Sequence, residues 1–507
     1  MTMHEKQTPA HIFRAYDIRG IYNDDLYPET MLKIGLALGS YAKKRGKKNV
    51  VVGNDIRSSS RVLTNTLVSG LLSSGMDVTS AGTTSFGVSA FCGWQLKKDI
   101  TAYVTASHLP PEWNGVKFYT GAGIGFSADE NEEIRDIVLE GKEHEGRAYW
   151  NEIGDYQEVD LKNEYIEYIA ERFEGNGENI FKERRIVLDC GNGSMGLVAP
   201  DVMKRIKLKT DALLFVTPDA SFPNRPSELT EDSLGTLKEE VKRKKADFGA
   251  AFDGDGDRAA IVDDKGRMLS ADQCGVIIAK NLLRDRNGIV LANVECSMLI
   301  ERELEKLGGK IERIPVGHTF LTKEASERNA VLGIESSGHY VIPSFFPFDD
   351  AMIIPLKIAV ILAETGKKLS ELVDDLPTFP KERMNLECDD TVKFGVMHAL
   401  ADRLANEYGA DRINTMDGIR IDFSEEGWVL IRASNTSPLI RVTVEGATEE
   451  VKEKLMKTFV GVTKEEITKT IVIPKSNHKI THKPLQGLQG HGGKAPCFTR
   501  KSKDQEL

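Results

Sequence analysis

The chain has 507 residues, 40% hydrophobic and 28% charged, a balance that suits several packed cores and excludes a fibrous or wholly disordered protein. Its net charge of -10 argues against a general nucleic-acid binder, whose phosphate contacts need a basic footprint, although a local basic pocket can still hold an anionic substrate. Six scattered cysteines without a CxxC pair, a polar opening segment and no apolar run long enough for a bilayer point to a reducing, cytoplasmic setting without disulfides, zinc or a membrane partner.

FRAYDIRG (Phe13 to Gly20) comes before the first helix. Arg14 or Arg19 could face an anion there, though a lone arginine is more often simply solvated. Met31, Ile34, Leu38 and Tyr41 then recur at helical spacing. NVVVGND reads as a short apolar strand, a helix runs from Arg61 to Ser74, DVTSAG is a strand, a helix lies near Val88, and ITAYVTAS is a strand again. This alternation predicts a mainly parallel sheet covered by helices. VTASHLPPEWNGVKFY (Val104 to Tyr119) follows. Ser107 comes directly after the apolar strand, so it sits on a loop at a carboxyl end, where open α/β sheets bind ligands. Pro110 and Pro111 stiffen that loop, and Lys117 supplies a cation nearby. An esterase elbow needs glycines two residues either side of its serine; Thr105 and Leu109 stand there instead. An ordinary Ser–His turn is the plain alternative.

The order of elements repeats twice more, from RRIVLDCG to ADFGAAF and from AAIVDD through GIVLANV and KIERIPV to a helix ending before Gly366. At the junction stands AAFDGDGDRAAIVDD. In an extended segment Asp253, Asp255 and Asp257 would point the same way, and three converging carboxylates repel unless a cation such as Mg²⁺ neutralises them. Gly254 and Gly256 let the backbone turn tightly. An EF-hand loop would need glycine and glutamate where Arg258 and Asp264 stand. A solvated acidic turn is the other rival, and Arg258 could clamp a phosphate. GIESSGHY (Gly333 to Tyr340) offers Glu335, Ser337 and His339 as hydrogen-bonding partners for a sugar, or is merely a polar turn.

Helix is interrupted around DDLPTFPKE (Asp374 to Glu382). Beyond it the pattern is α+β: one helix, the strand pair GWVLIRAS and LIRVTVEG, a long helix from Glu449 to Lys469 and a last strand. RASNTSP (Arg432 to Pro438) joins the two strands with groups suited to a phosphate, or forms a polar hairpin. Its Asn435-Thr436-Ser437 sequon is discounted because nothing suggests secretion. The basic tail, with His478, His482 and His491, lacks apolar periodicity and reads as disordered. The expected organisation is α/β: three similar α/β domains with mixed, mainly parallel sheets (1–155, 156–259, 260–376), a C-terminal α+β domain (377–474) and a tail (475–507).

Together, in this order, the five segments resemble the α-D-phosphohexomutase family, across about residues 10 to 474. The resemblance implies four domains around a central cleft, each donating a loop. It implies a phosphoserine at Ser107, with Mg²⁺ on Asp253, Asp255, Asp257 and a phosphate oxygen carried by Ser107. It implies Glu335 and Ser337 on sugar hydroxyls, Tyr16 and His318 as further substrate contacts, and Arg432, Ser434, Asn435 and Thr436 on the phosphate that is not reacting. Arg19, His108, Lys117, Arg258 and His339 would line the transfer site, with Lys117 or His339 as general acid/base. The implied substrate is a small sugar phosphate, and a hexose 1,6-bisphosphate is the implied intermediate. FRAYDIRG and VGHT (Val316 to Thr319) look like phosphomannomutase/phosphoglucomutase members. The FGTDGIRG-like opening typical of phosphoglucosamine mutases, the runner-up, is absent. Two departures from the pattern stand out: Leu109 in place of an asparagine, and Glu295 in place of a lysine. An inactive sugar-phosphate sensor would have lost Ser107 or an aspartate, and none is lost. A structural metal-binding protein leaves the Ser107, Glu335 and Arg432 segments without a purpose.

Overall fold

A computed structural model of the protein describes residues 8–173, 180–284, 287–434 and 438–472. The expected tail, 475–507, lies outside the described residues. The chain divides into two compact units, Met1–Lys381 with Glu445–Glu449, and Glu382–Val444 with the residues from Glu450 onward. No helix among the described residues is long and apolar enough to cross a membrane.

The first unit contains three sheets. One comprises β1 (Ile18–Ile21), β2 (Asn49–Asn54), β3 (Asp77–Thr83), β4 (Ile100–Val104), β5 (Trp113–Thr120) and β6 (Tyr156–Glu158), in the order β1-β5-β4-β2-β3-β6. The strands from β4 to β6 run parallel, whereas β5 and β1 are antiparallel to their neighbours. Helices α1 (Pro28–Lys43), α2 (Ser60–Ser73), α3 (Phe86–Gln95) and α4 (Ala128–Leu139) alternate with these strands, and α5 (Lys162–Phe173) leads to the next sheet. Met31, Ile34, Leu38 and Tyr41 are all fully buried on α1, as their spacing predicts.

The second sheet is β7 (Arg185–Asp189), β8 (Lys209–Leu214), β9 (Phe248–Phe252) and β10 (Ala259–Asp263), in the order β10-β9-β7-β8, with α6 (Ala199–Ile206) and α7 (Gly235–Lys244). AAIVDD was expected to open the third unit of alternation. It instead closes this sheet as β10, antiparallel to β9 with Ile261 opposite Ala250. The connection from Asp253 to Arg258 is far too short for a parallel crossover, so the chain has to return on itself.

The third sheet is β11 (Ile289–Asn293), β12 (Lys310–Ile314), β13 (Leu332–Ile334) and β14 (Tyr340–Val341), in the order β12-β11-β13-β14. With it go α8 (Ala271–Leu282), α9 (Leu299–Leu304), α10 (His318–Glu327), α11 (Ile353–Thr365) and α12 (Leu369–Asp374). The second unit carries an α+β fold: β15 (Lys381–Glu387), β16 (Ile413–Asn414), β17 (Ile419–Asp422), β18 (Gly427–Ala433) and β19 (Leu439–Gly446), in the order β15-β19-β18-β17-β16, with α13 (Lys393–Tyr408) and α14 (Glu449–Val472). The last strand expected after Lys469 does not begin there. α14 runs through Ile471 and Val472, because helix already established upstream extends cheaply over residues of weak local preference.

Candidate active site

β4 ends at Val104, and three residues later the chain reaches Ser107. Ser107 is fully buried with φ of +51°, a left-handed backbone that a serine keeps only when its surroundings impose it. Arg57, between β2 and α2, imposes it. The guanidinium donates to the carbonyls of Ser107 (2.8 Å), Leu109 (2.6 Å), Pro110 (2.5 Å) and Trp113 (3.1 Å). Its Nε donates to Asp55 Oδ2 at 3.0 Å, and Asp55 also accepts from the Ser60 and Thr105 hydroxyls. Ser107 N donates to Thr105 Oγ1 at 2.8 Å. Asp55 and Arg57 escaped the sequence reading; the available signal was an acid and a base two residues apart at the exit of an apolar strand. Leu109 enters this network through its carbonyl.

The turn between β9 and β10 brings up the acidic groups. It is a bend rather than the extended segment expected, with Gly256 at φ +83°. The convergence comes from curling, since the chain must reverse within a few residues. One carboxylate oxygen each from Asp253, Asp255 and Asp257 lies within 4.8 Å of the others, all buried. Ser107 Oγ donates to Asp253 Oδ2 at 3.0 Å. From β5, Lys117 Nζ donates to Asp257 Oδ2 at 2.5 Å and Asp255 Oδ2 at 3.2 Å.

Burial sets the electrostatics. It pushes the Asp253 carboxyl well above the usual range, and repulsion from Asp257 and Asp255 adds to this. Burial also opposes ionisation of Asp257, but the Lys117 and Arg258 cations beside it outweigh that and hold the carboxyl well below its ordinary value. Lys117, which burial alone would discharge, is held charged by Asp255 and Asp257. Asp255 Oδ1 and Asp257 Oδ1 are buried without a hydrogen-bond partner among the described residues. Such oxygens are costly to leave unpaired, and a hard divalent cation such as Mg²⁺ takes oxygen donors, so the residues present fit one.

The β13–β14 hairpin supplies the remaining polar groups. Glu335 accepts from Ser337 Oγ at 2.7 Å and from Gly317 N at 3.0 Å, directly before His318 opens α10. The ring of Tyr16 packs edge-on against Phe320 of the same helix, with centroids 5.5 Å apart. Arg258 Nε donates to His339 Nε2 at 2.7 Å, which makes Nδ1 the protonated nitrogen that donates to Asp349 Oδ2 at 2.6 Å. Both ring nitrogens of His339 are thus engaged, and Asp257 Oδ1 lies 3.9 Å from Nδ1 beside them. Arg19, on β1, pairs with Asp17 at 2.6 Å. Burial, then Arg258 and Arg19, push the His108 imidazole far down; burial and Lys117 do the same to His318. His108 Nδ1 and His318 Nε2 are buried without a partner among the described residues.

The first unit therefore gathers Arg19, Ser107, His108, Lys117, the three aspartates, Arg258 and His339, with Glu335, Ser337, His318 and Tyr16 on the adjoining loops. Arg432 and Ser434 belong to the second unit, where Arg432 Nε donates to Asp417 at 2.8 Å and Ser434 O accepts from Lys393 at 2.7 Å. Asn435 and Thr436 lie outside the described residues.

Four family descriptions match the chain in succession. They are the α/β/α domains I, II and III of phosphoglucomutase/phosphomannomutase, over residues 10–145, 163–266 and 270–379, and the C-terminal domain over residues 384–462. A phosphoglucomutase/phosphomannomutase of Thermococcus kodakarensis is 34% identical over 463 residues, covering 90% of this chain and 99% of the relative. A protein of Methanosphaera stadtmanae named a probable phosphoglucosamine mutase is 33% identical over 441 residues, covering 87% and 95%. The crystal structure of a phosphoglucomutase/phosphomannomutase family protein from Burkholderia thailandensis superposes with a TM-score of 0.80 at 27% identity, covering 91% of this chain and 98% of that one.

Proposed function

We infer that this chain, which belongs to the phosphoglucomutase/phosphomannomutase family, interconverts the 1-phosphate and 6-phosphate of a hexose, mannose or glucose, through a phosphoserine at Ser107 and a bisphosphorylated sugar. The observation that carries this reading is the 3.0 Å approach of Ser107 Oγ to Asp253 inside a buried set of three carboxylates. A serine so placed gives its ester a fixed position, and in-line phosphoryl transfer depends on position and charge neutralisation. Mg²⁺ at Asp253, Asp255 and Asp257 supplies, when bound, positive charge against the phosphoryl oxygens. Lys117 and Arg258 add fixed cations, and the Arg57 clamp holds the loop still. His339 keeps Arg258 aimed. Of the two expected acid/base groups, Lys117, held charged, can give a proton to the leaving oxygen, and His339 takes one from the attacking hydroxyl only by releasing Arg258. Glu335 and Ser337 hold sugar hydroxyls, with Tyr16 and His318 beside them. Arg19 and His108 line the transfer site. Arg432, Ser434, Asn435 and Thr436 hold the unreactive phosphate. The five described cysteines are buried free thiols, which suits the cytoplasm.

A second reading, glucosamine phosphate as substrate, draws on Glu295. This residue is buried, and its Oε2 lies 3.5 Å from Ser336 Oγ in the Glu335 loop. A carboxylate there would give a sugar ammonium group a partner. Assaying mannose, glucose and glucosamine phosphates side by side separates the two readings. The mechanism is tested with Ser107→Ala, which should lose the phosphate seen by intact mass and nearly all turnover. Full turnover in that variant refutes it.

A further inference from the structure

A cavity of about 540 Å³ opens on the first sheet, at the carboxyl ends of β2 and β3. Asn54 and Thr83 at those strand ends, Arg61, Thr64 and Asn65 of α2, and Lys162 of α5 contribute to its lining. None of the residues assigned above to phosphoryl transfer lines it. Crevices at the carboxyl ends of parallel strands are where open α/β sheets take ligands, and pockets of about 300–1,000 Å³ hold small molecules.

Arg61, Thr64 and Asn65 stand at i, i+3 and i+4, so one face of α2 presents all three. No carboxylate or carbonyl among the described residues takes the Arg61 guanidinium. Thr64 is 5% exposed, and its Oγ1 is buried with no hydrogen-bond partner among them. Thr66 and Ser69 of the same helix return their hydroxyls to the carbonyls of Val62 and Asn65. Thr64 does not, but its Oγ1 has no accessible surface, so it lies behind the cavity wall and Arg61, Asn65 and Thr83 carry the donors a ligand would meet. Across the cavity, Thr83 Oγ1 accepts from Asn54 Nδ2 at 3.0 Å and keeps its own proton to donate. Glu158 and Asp160 also line the cavity. They accept from Tyr156 OH at 2.8 Å and Lys162 N at 3.0 Å, and have lone pairs left for ligand hydroxyls. An unpaired guanidinium beside hydroxyl and amide donors suits a phosphoryl group, and the acids opposite suit a polyol.

We propose that this cavity is a second ligand site, separate from Ser107, for a small hydroxylated anion of the sugar phosphate class. Calorimetric titration of the full chain with glucose 6-phosphate should give two equivalents in the wild type. Arg61→Ala should weaken one of them about tenfold or more while leaving mutase turnover unchanged. Two undiminished equivalents in Arg61→Ala overturn the proposal. So does a single wild-type equivalent that Arg61→Ala retains, and so does the absence of binding. A single equivalent lost in Arg61→Ala upholds the cavity and counts instead against sugar binding near Ser107, so the two readings fail separately. Inorganic phosphate is the second probe. If it binds and Arg61→Ala abolishes that binding, the phosphoryl group alone is recognised; if only glucose 6-phosphate binds, the hydroxyls are read as well.

Discussion

Arg57 shows how much of a loop, here the one that carries Ser107, can hang on one side chain. It is fully buried, pairs with Asp55, and meets four carbonyls between Ser107 and Trp113. Arg57→Ala would leave the Asp55 carboxylate buried without its cation. Breaking a buried ion pair from one side costs about 3–5 kcal/mol, so the denaturation midpoint should fall steeply and phosphate at Ser107 should drop with it. Arg57→Lys restores charge but not the planar fork, and should recover stability more than phosphorylation. An unchanged midpoint in Arg57→Ala contradicts this account. The three aspartates were legible because their spacing is itself the signal. Arg57 was not, because an arginine near an aspartate looks the same in sequence whether it clamps a loop or faces solvent.

At the scale of elements, the α1–α2 crossing depends on absent side chains. A Cβ on Gly35 would lie 2.4 Å from Leu67 O, and one on Gly70 2.4 Å from Leu32 O. The helices therefore meet backbone to backbone. Gly35→Ala gains about 1 kcal/mol of helix preference but forces two backbones apart, and overpacking of this kind costs about 1–3 kcal/mol. The expected result is a lower melting temperature; a higher one would show that the helices can part without loss. The sequence spacing identified α1 and its buried stripe, yet it carried no trace of what the stripe lies against. The same holds for β10: its apolar run was legible as a strand, but its partner followed from the length of the preceding turn.

Across the molecule, the largest apolar cluster runs through all three sheets of the first unit, joining Phe91 of α3, Tyr165 of α5, and Phe346 near α11. The rings of Tyr165 and Phe346 stack with centroids 5.8 Å apart. Asp350 is sealed into this region, accepting from Tyr165 OH and Met352 N at 2.8 Å each. Burial, with Asp349 adding repulsion, raises its carboxyl from 3.8 to about 7 against those two hydrogen bonds. Between about pH 4 and 7 the folded protein then holds a proton that the unfolded chain releases, so this group makes stability fall as pH rises through that window. At about 1.4 kcal/mol per unit the loss reaches about 4 kcal/mol above pH 7, and is absent below pH 4. Asp350→Asn removes the charge and, like the protonated acid, keeps one acceptor, for Met352 N, while its amide donates to a Tyr165 hydroxyl turned to accept. It should raise the melting temperature at pH 8 and lose that advantage near pH 4. An equal shift at both pH values would assign the effect to packing instead.

The order and period of apolar residues, with the spacing of a few polar ones, by themselves determined the α/β units, the α+β end, the Ser107 loop and the acidic triad, because these signals are local. The tertiary structure alone decided that the triad curls rather than extends, that Arg57 grips the Ser107 loop by its carbonyls, that His339 is engaged at both nitrogens, and that α2 sets an unpaired arginine beside a cavity. Each of these depends on groups far apart in the chain meeting at hydrogen-bonding distance, and short-range pattern carries no record of such meetings.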